Sequence, residues 1–261
     1  MDTTVPSITV AELRAQLGTA AAPVIVDVRK QEAYDADPRT IAGALRRAHD
    51  RAADWAAELP AGRPVVACCV HGHQVSQGAA QALIDRGFTA HYLAGGIEEW
   101  KKAAAPTLAK QAALGLPAAR RSAWITRERP KIDRIACPWL VLRFIDPLAD
   151  FHYVPADRVM AEAKARQAIP YDVKDVQFAH RGERCSFDAL IADFDLHDAA
   201  LDRLAVIVRG ADCGRPELTP QSAGLLAISQ GLSANFADDH AMLAHGLTVY
   251  DALYTWCRTA G

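Results

Sequence analysis

The sequence predicts two folds in series. Residues 1–105 read as an α/β domain, a parallel sheet with helices on both faces, and residues 124–261 as a mainly α-helical domain with a few short strands. Three observations carry this. In the first part, short β-branched runs alternate with helical segments, as parallel sheets require. In the second, long helical segments dominate. Between them, residues 106–123 are alanine-rich and include Pro106 and Pro117, which marks a linker, with Thr107–Leu114 a candidate helix.

In chain order, Thr9-x-x-Glu12 has capping-box spacing and opens a short helix with Leu13 and Leu17 on one side. Val24-Ile25-Val26-Asp27-Val28 is a buried strand by its β-branched content, with Asp27 and Arg29 at its C-terminal end. Ile41-Ala42-Gly43-Ala44 follows a polar stretch, and Ala52–Leu59 reads as a helix. The strand Val65–Cys68 leads through a polar loop to a helix from about Gln77 to Arg86, closed by Gly87. His91–Leu93 is a further strand, and Gly95-Gly96 introduces a helix over Ile97–Ala104. The later helices fall at Cys137–Phe144, Asp157–Gln167, Ser186–Phe194, Ala199–Arg209, Pro220–Gly231 and Asp238–Trp256, with extended pieces at Trp124–Thr126 and Phe151–Val154.

Bulk properties exclude several classes. The 261 residues are 51% hydrophobic and 23% charged, as in an ordinary globular chain, and a net charge of -2 makes no case for a nucleic-acid or membrane partner. No apolar run approaches the roughly 18 residues of a membrane span, and the N-terminus carries no export signal. The six cysteines show no CxxC spacing, which points to reduced thiols in a cytoplasmic protein. Residues 120–134 form a basic patch, six arginines and lysines against two acids, read as a solvated linker face rather than an anion or DNA site.

The loop after Val65–Cys68 carries the clearest chemistry. Unpaired N–H groups at a helix N-terminus favour negative charge and stabilise a thiolate. Two cysteines compete for that place. Strand side chains alternate, so only one can face the loop's concavity. Cys69, the last residue before the loop, is the candidate nucleophile, and Cys68 a packed strand residue. Val70, His71, Gly72, His73, Gln74, Val75 and Ser76 complete the loop; Gly72 lets the backbone turn inward, and His71 and His73 offer donors or a proton shuttle.

Asp27-Val28-Arg29, Ile41-Ala42-Gly43-Ala44, the Cys69-x-His71-Gly72 loop and Gly95-Gly96-Ile97-x-x-Trp100 together resemble a rhodanese domain, over about residues 5–105. The resemblance implies that Cys69 takes sulfane sulfur from a donor such as thiosulfate and passes it to cyanide or a thiol. It gives Asp27 and Arg29 a structural role. The Cys69–Ser76 stretch is one residue longer than in most sulfurtransferases, a length like that of the phosphatase branch of the fold. The arginine which that branch needs is replaced here by Val75.

In the second part, four clusters stand out: Arg129-Pro130-Lys131-Ile132-Asp133-Arg134-x-x-Cys137-Pro138-Trp139, His180-Arg181-Gly182-Glu183-x-Cys185-Ser186-Phe187-Asp188, Val208–Asp212, and Asp238–Trp256 with His240 and His245. In this order they resemble the C-terminal domain of chromate resistance protein B, which implies a role in chromate resistance with chromate as a candidate ligand. His180, Glu183, His240 and His245 are the candidate ligands of a divalent metal, with Asp212 and Cys185 behind them. His240 and His245 sit about 140° apart around a helix and do not suit one metal together. Arg134, Arg143, Arg181 and Arg209 are candidates for an oxyanion pocket.

The sequence therefore supports a sulfurtransferase-like enzyme joined to a domain that binds an oxyanion or metal. Two alternatives stand beside it: a chromate-responsive sensor with an inactive rhodanese module, and a thiol-dependent oxyanion reductase using Cys69 with Cys68 or Cys137.

Overall fold

The computed structural model describes residues 5–116 and 121–259. The end of the expected linker, 117–120, with Arg120 of the basic patch, lies outside the described residues. The chain divides into two compact units: residues 1–120 with 143–147, and residues 121–142 with 148–261.

The first unit is built on β1 (Ser7–Ile8), β2 (Val24–Asp27), β4 (Leu45–Arg46), β5 (Val65–Cys68) and β6 (Ala90–Leu93). They form one sheet in the order β1-β6-β5-β2-β4, and every pairing is parallel. The β-branched runs Val24–Val26 and Val65–Val66 are wholly buried, as central parallel strands must be. The connecting helices are α1 (Val10–Gln16), α2 (Gln31–Ala36), α3 (Ala52–Trp55), α4 (Gln74–Ile84) and α5 (Gly96–Lys102). The capping box at α1 forms: Glu12 N–H donates to Thr9 Oγ1 at 3.2 Å, and Thr9 N–H to Glu12 Oε2 at 2.9 Å. Leu13, Leu17, Ile25, Val66, Cys68, Leu93, Ile97 and Trp100 pack one core beneath the sheet.

Two expectations are corrected here. Thr107–Leu114 is not a helix. Residues Thr107–Ala109 are a strand, β7, paired antiparallel with β3 (Arg39–Ile41), and only Ala112–Leu114 make a 3₁₀ turn. Thr107 and Leu108 sit where the β3 edge can take up their backbone groups, and Leu108 is fully buried. Helix α4 begins at Gln74, not near Gln77, because the chain turns at Gly72 with φ +71° and needs no further loop.

The second unit holds a three-stranded parallel sheet, β10-β8-β9, from β8 (Ala123–Arg127), β9 (Asp150–Val154) and β10 (Ile169–Pro170). Around it run α6 (Asp133–Leu140), α7 (Val159–Arg166), α8 (Ser186–Asp193), α9 (Ala199–Asp212), α10 (Pro220–Asn235) and α11 (Asp239–Thr259). Aromatic rings fill two places. Trp124 packs on Tyr171 and Phe178, and Trp139 on Phe187, Tyr250 and Tyr254.

Pro138 lies inside α6, where it lacks the N–H that would reach the carbonyl four residues back. That carbonyl, Arg134 O, instead accepts from Tyr153 Oη at 3.3 Å and Tyr171 Oη at 3.5 Å. The helix continues as a π turn, Val141–Ile145. Glycines allow close helix packing in two places: a Cβ on Gly210 would stand 2.2 Å from Ser222 Oγ, and one on Gly246 2.5 Å from Ile135 Cγ2.

The basic stretch is solvent-exposed at Arg121, Arg129 and Lys131, yet some of its arginines also hold structure. Arg129 donates to the carbonyls of Phe236 and Ala237 at the end of α10, and Arg127 pairs with Asp172 at 3.1 Å. No helix of the described residues is long and apolar enough to cross a membrane.

Candidate functional site

Strand β5 delivers two cysteines with opposite fates. Cys68 points into the apolar core at 1% exposure, and burial pushes its thiol well above its ordinary range. Cys69 is the next residue and faces the loop, with Sγ 3.1 Å from Ser76 Oγ. Ser76 Oγ also donates to His73 O at 3.2 Å, and Gln77 Nε2 to Gly72 O at 3.1 Å, so the first turn of α4 clamps the loop.

Helix α5 holds the other side. Ile97 N–H donates to Cys69 O at 2.9 Å, and Glu98 N–H to Val70 O at 3.2 Å. With those carbonyls turned away, the backbone can present N–H groups to the concavity. This approach needs glycine. Gly96 has φ +58°, and a Cβ there would lie 2.4 Å from Cys69 O and 2.5 Å from Val70 O. Gly72 has φ +71°, and its Cβ would lie 2.5 Å from Leu93 O. Gly96→Ala is therefore expected to displace the loop and abolish its chemistry while the circular dichroism spectrum of the chain is kept; unchanged turnover would contradict this account.

Above Cys69 lies a cavity of about 480 Å³ lined by Arg29, Lys30, Val70, His71, His73, Gln74 and Val75 among others. His71 and His73 are exposed at its mouth, with ring centroids 5.9 Å apart. The Arg29 guanidinium is fully committed elsewhere. Its Nη2 bonds Asp27 Oδ2 at 2.6 Å, its Nε reaches both Asp27 oxygens at 3.0 Å, and its Nη1 bonds Asp37 at 2.7 Å. Thr40 Oγ1 adds a 3.0 Å bond to Asp27. Asp27 is registered beside Cys68, so this buried pair ties down the strand end next to the thiol. Lys30, not singled out from the sequence, is the exposed cation at the cavity rim.

In the second unit, the four candidate metal ligands are not brought together. His240 is exposed and packs edge-on against Tyr153, with centroids 5.5 Å apart; His245 is exposed and stacks on Phe236 at 4.3 Å. Glu183 is exposed and pairs with Arg215 at 3.1 Å. The 3.6-residue helical period sends the two histidines to different neighbours. His180 alone enters a cluster, with Asp133, Asp172 and Asp212. Among the described residues, two groups bring their donor atoms within 4.8 Å of one another: Asp133, Asp172 and His180, and His180, Asp212 and Cys213.

The cluster's electrostatics follow from its crowding. Hydrogen bonds to Asp133 and Asp172 raise His180 to about 11. Burial, then the charges of Asp133 and Asp172, raise Asp212 to about 7. Burial also raises Asp133. Burial of Asp172 is outweighed by His180, Arg127 and Arg134, which hold it below its usual range. Asp133 and Asp172 were not legible as site residues. The signal available was Asp133 beside Arg134 in the first motif cluster of the second part, but its partners lie far along the chain.

Three of the four candidate oxyanion arginines are each taken by a carboxylate. Arg181 closes on Asp193 at 2.6 Å, Arg209 on Asp188 at 2.6 Å, and Arg134 on Asp172 at 3.4 Å. Arg143 falls in the segment grouped with the first unit. Cys137 and Cys185 are buried, and burial raises both thiols.

The profile described as "ChrB, C-terminal domain" matches residues 124–257, and that of a rhodanese-like domain matches residues 9–103. Protein ChrB of Cupriavidus metallidurans is 35% identical over 133 residues, covering 51% of this chain and 40% of that protein's length. Thiosulfate sulfurtransferase GlpE of Coxiella burnetii is 38% identical over 79 residues, covering 30% of this chain and 71% of GlpE. A rhodanese-related protein of known structure from Thermoplasma volcanium is 22% identical, with a TM-score of 0.34, over 39% of this chain and 96% of that one. The chain belongs to the family of the ChrB C-terminal domain, which it carries behind a rhodanese-like domain.

Proposed function

We propose that the first unit is a sulfurtransferase whose nucleophile is Cys69. The observation that carries this reading is the position of its Sγ: at the end of β5, 3.1 Å from Ser76 Oγ at the start of α4, under a cavity of about 480 Å³. A thiolate there is favoured by the helix N-terminus and lies within hydrogen-bond distance of Ser76 Oγ. The similarity to GlpE supports thiosulfate as the donor class.

The reaction then runs in two displacements. The Cys69 thiolate attacks the outer sulfur of thiosulfate. A new S–S bond forms, the old one breaks, and sulfite leaves with its electron pair. Cys69 now carries a persulfide. Its terminal sulfur is attacked by cyanide or a thiolate, which departs with that sulfur and returns the Cys69 thiolate. Lys30 at the rim attracts the anionic donor, and backbone N–H groups of the loop cradle the persulfide charge.

The longer loop does not favour phosphatase chemistry, since Val75 offers no guanidinium to a phosphoryl group. A reductase with an adjacent thiol pair is disfavoured too, because Cys68 faces the core. The resemblance of the second unit to the chromate-resistance domain supports a role for this sulfur chemistry under chromate exposure. Mass spectrometry of the reduced chain after thiosulfate treatment tests the reading. The expected result is one added sulfur on the peptide bearing Cys69; a chain that gains none overturns it.

A further inference from the structure

In the second unit a single imidazole nitrogen faces three carboxylates. His180 Nε2 lies 3.0 Å from Asp212 Oδ2 and 3.5 Å from both Asp133 Oδ2 and Asp172 Oδ1. One N–H donates well to one acceptor, and beyond about 3.2 Å an N–H···O bond is weak. The imidazole is nearest to Asp212, and one N–H cannot satisfy three carboxylates at once. Asp133 is 1% exposed, and among the described residues its Oδ1 has no hydrogen-bond partner within ordinary geometry. A buried carboxylate oxygen without a donor is costly and rare.

We propose that Asp133, Asp172, Asp212 and His180 bind one first-row divalent cation. The spacing suits it. With metal–oxygen and metal–nitrogen bonds of about 2.0–2.2 Å, neighbouring ligands of a tetrahedral or octahedral ion stand about 3.0–3.6 Å apart, and the distances from Nε2 are 3.0 and 3.5 Å.

Each of the three carboxylates is also aimed from behind. Asp133 Oδ2 accepts from Ser186 N at 2.5 Å, at the start of α8. Asp172 is gripped at Oδ2 by Arg127 at 3.1 Å and Arg134 at 3.4 Å, and at Oδ1 by Ser186 Oγ at 3.0 Å. Asp212 Oδ1 accepts from Asp133 N at 3.3 Å, which leaves Oδ2 to the site. Such supports orient metal ligands and fix their charge. Three carboxylates and one imidazole suit Mn²⁺, Fe²⁺ or Zn²⁺ and disfavour soft ions such as Cu⁺.

The site opens outward. Asp172 and His180 line a cavity of about 640 Å³ that also carries Arg127 and Lys174. Water or a small anion entering there can complete the coordination shell, with the two cations beside it. Cys213 Sγ stands within 4.8 Å of the His180 and Asp212 donor atoms and reaches Glu183 O at 4.0 Å, but the carboxylate set does not need it.

The test uses the untagged full-length chain, stripped of metal with a chelator. Mn²⁺ titrated into it and followed by electron paramagnetic resonance is expected to bind at one equivalent per chain, with Zn²⁺ competing. His180→Ala, at a half-exposed side chain that folding tolerates, weakens binding at least about tenfold, and so does Asp172→Asn. Cys213→Ser leaves it unchanged. Three results overturn the proposal: no saturable uptake of Mn²⁺ or Zn²⁺ by the folded chain, uptake that survives His180→Ala, or uptake lost on Cys213→Ser.

Discussion

Cys69→Ser is expected to lower thiosulfate:cyanide sulfurtransferase turnover by at least roughly 10³-fold. A hydroxyl has no anionic form near neutrality and cannot hold a transferable sulfur, so neither displacement survives. Serine is close in size to cysteine, and Sγ makes a single polar contact, 3.1 Å to Ser76 Oγ, so the fold should be undisturbed. The neighbouring position gives the contrast. Cys68 is 1% exposed in the core, and Cys68→Ala leaves a small void that costs about 1 kcal/mol. Its turnover should stay near that of the parent chain. Thiocyanate formation measured on reduced preparations of both variants decides the matter. If Cys68→Ala is the dead variant and Cys69→Ser the active one, the assignment of the nucleophile is wrong.

The second large effect lies behind the loop. Arg29→Leu is expected to destabilise the first unit by about 3–5 kcal/mol, the usual cost of leaving a buried charge without its partner. Arg29 and Asp27 are 1% and 2% exposed, and Asp27 would keep only the Thr40 hydroxyl and the Arg29 N–H as donors. Asp37 and the carbonyl of Arg39 would lose a donor as well. Because Asp27 sits in register with Cys68, loosening β2 also frees the strand end that presents Cys69. Sulfurtransferase turnover should therefore fall along with stability. Urea unfolding followed by tryptophan fluorescence reads the change, and a loss below about 1 kcal/mol would mean that the pair contributes little.

Most elements were legible because their causes are local. Short β-branched runs form strands wherever a sheet can bury both faces, and Val24–Val26 and Val65–Val66 do so. The helices of the second unit announce themselves by length and period, and their caps lie within a few residues of the signals. The short pieces were not legible. β1 and β10 are two residues each and β7 reads as alanine-rich linker; each exists because a neighbouring strand supplies its partner, while α2 is only a polar turn and a half.

The same division governs the sites. A strand ending in two cysteines, a glycine, and a helix of small residues place a thiol loop by spacing alone. Alternation along β5 then separates Cys69 from Cys68. The acidic cluster is the opposite case. Residue type marked His240 and His245 as candidate ligands although their spacing argued against one shared metal, and those side chains meet Tyr153 and Phe236. The groups that gather around His180 come from α6, from the chain after β10 and from the end of α9, with 79 residues separating Asp133 from Asp212. The sequence by itself determined which residues make strands, helices and the Cys69 loop, since those depend on interactions between near neighbours. Only the tertiary structure decided that Asp133, Asp172, Asp212 and His180 share one site, because distant helix ends meet only where packing of the apolar faces brings them together.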